Sequence, residues 1–162
     1  MSDTTLVLIK PDAVQRGIVG EIISRFEQKG LTIIGLKLVV PSRSLVECHY
    51  DEHTLKQYFN EMVDTLQGRP LIAVAIQGVR AQAVVRRMIG HTSNCRNCLP
   101  GTIRGDLGMS GRFTVVHASD SPESAKREVS LWFKSHEVCR YDRATLPWTE
   151  TSMDLNEENV NG

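Results

Sequence analysis

His117 closes a short β-branched run, Thr114-Val115-Val116, and is followed at once by Ala118, Ser119, Asp120, Ser121 and Pro122. An imidazole at a strand end, beside a helix start, is well placed for chemistry. The free N–H groups of a first helical turn favour anions. An imidazole with one nitrogen held by a carboxylate has a fixed tautomer and a more nucleophilic free nitrogen. Glu128 offers that carboxylate: on a helix starting at Ser121 the inward stripe is Ala125, Val129 and Trp132, and Glu128 lies at its border. Ser119 stands where it can complete the hydrogen-bond network. Upstream, Pro100 to Gly108 is a glycine-rich segment carrying Arg104. It is not a Walker motif, because G-x-x-x-x-G-K-[ST] is lacking, and its composition alone is only a weak anion-loop signal. Lys10, Arg86 and Arg104 would each pass alone for surface residues. Jointly they offer the cationic clamp that phosphoryl transfer requires, and Thr92 adds a hydroxyl donor. These residues point to a phosphotransferase with a nucleophilic histidine.

Other polar and aromatic residues admit two readings. Tyr50 and Tyr58 are either packing and interface residues or an aromatic platform for a base and a phenol for phosphate. Asp120 is either a second helix-capping residue or a group that helps place a divalent cation. Cys95 and Cys98 have the Cys-x-x-Cys spacing of a redox pair or half a zinc site, but no second such pair exists among the four cysteines. Free thiols in a reducing compartment are the expectation for both.

The elements that must position these residues follow from periodicity. Leu6 to Ile9 is a dense buried-strand candidate, ended by Lys10 and Pro11. Val19, Ile22, Ile23 and Phe26 form a helical stripe, with Glu21 and Arg25 as an i,i+4 pair and Gly30 as its stop. Leu31 to Val40 reads as a second strand, ended by Pro41. A short helix capped by Ser44 and a longer one over Leu55 to Leu66 precede the break at Gly68-Arg69-Pro70. Leu71 to Ile76 is the third strand, and a helix follows over Val79 to Ile89. Phe113 to His117 makes the fourth strand, with Val115 and His117 on one side and Val116 on the other. Ser121 as N-cap and Pro122 at the first helical position open the last helix, which runs to Phe133. The order is βαβ, a helical insertion, then βαβ. The simplest outcome is α+β: a four-stranded sheet with helices over it in two layers.

The 162 residues form most economically one domain, over 1–150, followed by a polar acidic tail over 151–162 that reads as mobile. Lys+Arg and Asp+Glu each number 19, which argues against a mainly electrostatic nucleic-acid binder. No apolar run approaches the roughly 18 residues of a membrane span. The first residues lack a signal-like segment, so the cytoplasm is the expectation.

At these residues the chain resembles the nucleoside diphosphate kinase family from about Leu6 to Trp148. Lys10-Pro11-Asp12-Ala13-Val14-Gln15-Arg16-Gly17 resembles the family's opening motif. Pro100-Gly101-Thr102-Ile103-Arg104-Gly105-Asp106 resembles its nucleotide loop, and His117-Ala118-Ser119-Asp120-Ser121 its active-histidine motif. The resemblance implies a ferredoxin-like subunit, with an inserted helical hairpin, that assembles into hexamers or tetramers. It also implies ping-pong transfer of the γ-phosphate from a nucleoside triphosphate to a nucleoside diphosphate through His117. Broad base specificity is expected, with Mg²⁺ bound mainly through the nucleotide phosphates. In this likeness Glu128 and Ser119 orient His117. Lys10, Tyr50, Arg86, Thr92 and Arg104 are phosphate and transition-state ligands. Tyr58 stacks on the base, and Thr114 stands where the family usually has a sugar-binding asparagine. Ala118 replaces a usual glycine, and Gly111 falls where an apolar side chain often covers the base. Ser93 to Leu99 also diverges, with one extra residue in a loop that helps assemble the family's oligomer. These departures keep a competing reading in view, a catalytically weak relative acting as a nucleotide-binding regulatory scaffold.

Overall fold

In the computed structural model, which describes residues 2–91 and 94–149, the Leu6–Ile9 run lies at the middle of the sheet. It belongs to β1 (Ser2–Ile9), which pairs antiparallel with β3 (Leu71–Val79) on one side and β4 (Val116–Ala118) on the other. β2 (Thr32–Val39) lies outside β3, so the order is β2-β3-β1-β4, antiparallel throughout. This is the ferredoxin-like arrangement. Both central strands are buried on two faces, which is why they read as continuous apolar runs rather than alternating ones.

Strand alternation divides the core. Val7, Ile9, Val74 and Ile76 face α2 (Val19–Gln28) and α5 (Ala81–Ile89), packing on Ile22, Phe26, Val85 and Ile89. Leu6, Leu8, Ala73 and Ala75 face the other way. They meet Val46 of α3 (Arg43–His49), Val63 and Leu66 of α4 (Phe59–Leu66), and Trp132 of α7 (Pro122–Trp132). Helices therefore cover both faces, and the two-layer expectation is corrected to three layers. The insertion and the last helix are amphipathic, and the second sheet face is where their apolar stripes are buried.

Other boundaries shift for local reasons. The α3 cap is Ser42, whose Oγ accepts Leu45 N–H at 3.2 Å, rather than Ser44. Residues 51–58 form short turns, so the α4 helix starts at Phe59 instead of Leu55. Gly30 ends the α2 region at φ +95°, and Ser121 caps α7 through Ser124 N–H at 3.0 Å. β4 is shorter than expected. Val115 has φ +67°, and Val116 N–H bonds Thr114 O at 2.6 Å, a tight turn just before the strand. The turn puts Val115 in the same core cluster as Val116, opposite His117, so the expected alternation of Val115 with His117 fails. The predicted tail over 151–162 and the Thr92 ligand both lie outside the described residues.

Candidate active site

β4 delivers His117 to the rim of the sheet, paired with Leu8 of the central strand. Behind it, α7 presents a buried Glu128, whose Oε2 lies 3.0 Å from His117 Nε2. The Ser119 hydroxyl donates to the same oxygen at 2.7 Å and also lies 3.4 Å from Leu6 N–H. An ionised carboxylate only accepts. Nε2 therefore carries the proton, and Nδ1 is left with the lone pair. The site presents a histidine with Nε2 committed to a carboxylate and a lone pair on Nδ1.

A cavity of about 670 Å³ opens in front of that ring. Its size suits a small organic ligand. Lys10, Tyr50, Tyr58, Arg86, Arg104, Thr114, His117 and Asp120 all line it, while Ser119 and Glu128 stand behind the histidine. Sequence reading had grouped these residues across a span of more than a hundred positions, and the fold brings them together. Lys56, Glu61 and Arg112 also line the mouth and were not singled out from sequence.

Each cation is anchored differently. Arg104 starts α6 (Ile103–Leu107) with Ile103 and is 4% exposed. Its Nε donates to Thr114 O at 3.1 Å, its Nη1 to Gly90 O and His91 O at 3.1 and 3.0 Å, and its Nη2 to Val116 O at 2.7 Å. Guanidinium has five donors, so four are taken within the described residues and the charge is held rigid. The loop that carries it needs Gly105, because a Cβ there would meet Leu99 O at 2.1 Å. Lys10 stands at the C-terminal end of β1, and its Nζ donates to Thr114 Oγ1 at 3.1 Å. Burial pushes this ammonium below its ordinary range; Asp12 opposes the shift and Arg104 adds to it. Arg86 Nη1 donates to Ala118 O at 3.2 Å, one residue beyond the histidine.

The remaining groups are donors, platforms or charges. Tyr50 is buried, and burial together with the Glu128 charge raises its phenol far above the ordinary range, so it stays a hydroxyl donor. Its ring is 6.2 Å from that of His117. Tyr58 is half exposed at the start of α4, with Lys56 Nζ 5.7 Å from its ring centre. The Ser124 hydroxyl, and then Arg86, hold the Asp120 carboxyl below its usual range. Cys95 and Cys98 are unpaired thiols; the Cys98 thiol lies 3.2 Å from His91 O.

Two residues that hold the site together carry little sequence signal. Asp12 Oδ2 accepts Val115 N–H at 3.0 Å, and Lys10 N–H donates to Val115 O at 2.9 Å, which fixes the left-handed turn before β4. His49, at the end of α3, packs its ring 4.5 Å from His117. Neither contact is visible without the fold, since each joins segments far apart in sequence.

A sequence profile described as "Nucleoside diphosphate kinase" matches residues 3–138. The chain is 50% identical over 149 residues to a Pyrococcus horikoshii protein of that name, spanning 89% of this chain and 94% of that one. It is 44% identical to "Nucleoside diphosphate kinase II, chloroplastic" of Arabidopsis thaliana, over 90% of this chain and 63% of the other. Among solved structures, a Halobacterium salinarum nucleoside diphosphate kinase in complex with CDP superposes with TM-score 0.89 at 36% identity. It covers 93% of this chain and all of its own. A transition-state mimic of the Borrelia burgdorferi enzyme with vanadate and ADP superposes with TM-score 0.84 at 31% identity, over 89% and 94%. The profile match and these likenesses, each spanning about nine-tenths of this chain, lead to one conclusion: the chain belongs to the nucleoside diphosphate kinase family and is a phosphotransferase.

Proposed function

We propose that His117 carries the phosphoryl group between nucleotides in two half-reactions. In the first, the Nδ1 lone pair forms a bond to the γ-phosphorus of a nucleoside triphosphate. The bond to the bridging oxygen breaks, and that electron pair leaves on the nucleoside diphosphate. Nε2 keeps its proton, so the ring carries positive charge that Glu128 balances. In the second half-reaction a nucleoside diphosphate oxygen attacks the phosphohistidine and frees the ring. The observation that carries this reading is the pair of donors converging on Glu128 Oε2, which leaves Nδ1 as the available nucleophile in a cation-lined cavity.

The other roles follow from placement. Arg104, Lys10 and Arg86 stabilise charge on the equatorial and leaving oxygens, and rigid anchoring makes such donors effective. Tyr50 donates its hydroxyl to phosphate, Thr92 serves as a further donor, and Thr114 braces Lys10 beside the sugar. Tyr58 stacks on the base. A π-face is offered by every base, so broad base specificity is expected. Asp120 is one of two carboxylates that line the cavity, Glu61 being the other. That donor set fits Mg²⁺ held mainly by nucleotide phosphates. When bound, Mg²⁺ neutralises phosphate charge.

We further propose a homo-oligomer, a hexamer with a tetramer as the alternative. β2 is an edge strand carrying Leu36 and Leu38, with Val40 just beyond its end, each more than half exposed, a liability that association removes. A cytoplasmic setting is consistent with four free cysteines. Among the described residues no helix is long and apolar enough to cross a membrane. Steady-state kinetics with ATP and GDP test the two-step scheme: parallel double-reciprocal lines are expected, and intersecting lines from a ternary complex would contradict it.

A further inference from the structure

His49 has no part in the steps above, yet it is the most enclosed titratable group beside the nucleophile, 2% exposed. Its ring stands edge-to-face against His117, at 4.5 Å between centroids and 80° between planes. Tyr50 and Trp132 enclose its other sides at 4.6 and 5.6 Å. His49 Nδ1 accepts the indole N–H of Trp132 at 3.1 Å. An indole nitrogen only donates, so Nδ1 must keep its lone pair, and the neutral ring carries its proton on Nε2. That Nε2–H is buried with no hydrogen-bond partner among the described residues, an arrangement that calls for a reason.

Protonation of His49 would set a second N–H against the Trp132 N–H, donor facing donor. Burial acts in the same direction. Together with the nearby His117, Arg127, His53 and Lys10, it holds the imidazole well below its ordinary range. Glu128 and the Tyr50 hydroxyl complete the polar groups around it. A metal role is closed off by the same tautomer. Ligand atoms of His49, His117 and Glu128 lie within 4.8 Å of one another. However, His49 Nδ1 is covered, His49 Nε2 is protonated, and His117 Nε2 is committed to Glu128.

We propose that His49 is a positioning residue: a neutral ring, locked in one tautomer by Trp132, that fixes the plane of His117 and keeps a second positive charge away from it. The proposal rests on His117 as the phosphoryl acceptor. One hydrogen bond to Glu128 leaves His117 able to turn about that bond, and a perpendicular ring against it removes the freedom. Small losses of such alignment are costly in rate. The charge that His117 gains on phosphorylation also favours a neutral neighbour.

Trp132→Phe removes the lock while keeping an aromatic ring. Nitrogen-15 imidazole NMR is expected to show His49 of the parent with bare Nδ1 and protonated Nε2 between about pH 8 and about pH 5.5, a range bracketing an ordinary imidazole. In Trp132→Phe, where no indole N–H opposes protonation, His49 gains its proton at higher pH than in the parent. The acid limb of single-turnover labelling of His117 by γ-labelled ATP then moves up by about one pH unit. Adding His49→Gln to Trp132→Phe returns the limb to the parent position. His49→Gln alone slows labelling about tenfold or more, with ADP affinity unchanged. Melting curves confirm folding of each variant; a merely structural role would lower the melting temperature and leave the pH limb in place. The proposal is overturned if His49 of the parent titrates in this range, or if the Trp132→Phe profile superimposes on the parent's. A parent that takes no label on His117 overturns the nucleophile assignment itself, and this proposal with it.

Discussion

At the scale of single residues, Arg104 shows how one side chain serves both the fold and the cavity. Its four bonds to carbonyls of two separate segments, Gly90-His91 and Thr114 to Val116, make it a staple as well as a cation. Arg104→Lys keeps the charge but cannot span those carbonyls, because an ammonium lacks the planar fork. The variant should lose on the order of 10²-fold in kcat and about 3 kcal/mol of stability from unpaired buried groups; urea denaturation alongside turnover checks both. A loss of activity with no loss of stability would show that the carbonyl bonds contribute little. His49 gives a second residue-scale prediction. It is neutral when folded, whereas the unfolded chain binds a proton below about 6.5. The unfolded state then holds more protons, so stability falls as pH drops through that window, by at most about 1.4 kcal/mol per unit. The carboxyls of Asp106, Asp120 and Glu137 sit below their ordinary range and act at lower pH. Urea midpoints at neutral and mildly acidic pH should fall less in His49→Gln than in the parent, and equal falls would contradict the assignment.

At the scale of elements, the loop ending in α6 and the turn before β4 are the parts on which the site depends. Gly105→Ala drives a Cβ into Leu99 O. Backbone cannot yield as a side-chain tip can, so the expected result is a loss of more than about 2 kcal/mol together with activity; thermal melts and turnover test it. What was legible in sequence at this scale had local causes. Ser121-Pro122 is a self-contained helix start, and α7 begins where those residues require. Alternation and apolar runs located β1, β2 and β3. The β4 turn had no such signal. Valine disfavours a positive φ, and Val115 adopts it because Lys10 and Asp12, more than a hundred residues earlier, hold its carbonyl and N–H. Residues 55–58 read as the start of a helix, but the backbone bonds there close successive short turns. The candidate site residues were legible because their chemistry is borne by residue type at strand and helix ends. His49 escaped because a histidine inside a short helix declares nothing until Trp132 and His117 close around it.

At the scale of the whole molecule, the ferredoxin-like sheet is covered on both faces yet leaves the β2 edge and its apolar side chains open. Leu38→Glu should lower the solution mass seen by light scattering without changing the circular dichroism of the subunit. An unchanged mass would place the interface elsewhere. The Cys95 and Cys98 thiols should not matter to assembly, so reductant should leave the mass as it is. The proposed chemistry turns on one covalent event at the sheet rim. The protein incubated with γ-labelled ATP and no acceptor should take up a label that is stable in base and lost in acid. The label should map to His117 and transfer to GDP on addition. Label on another residue, an acid-stable linkage, or transfer to GDP by the His117→Ala variant at the parent rate would contradict the central claim.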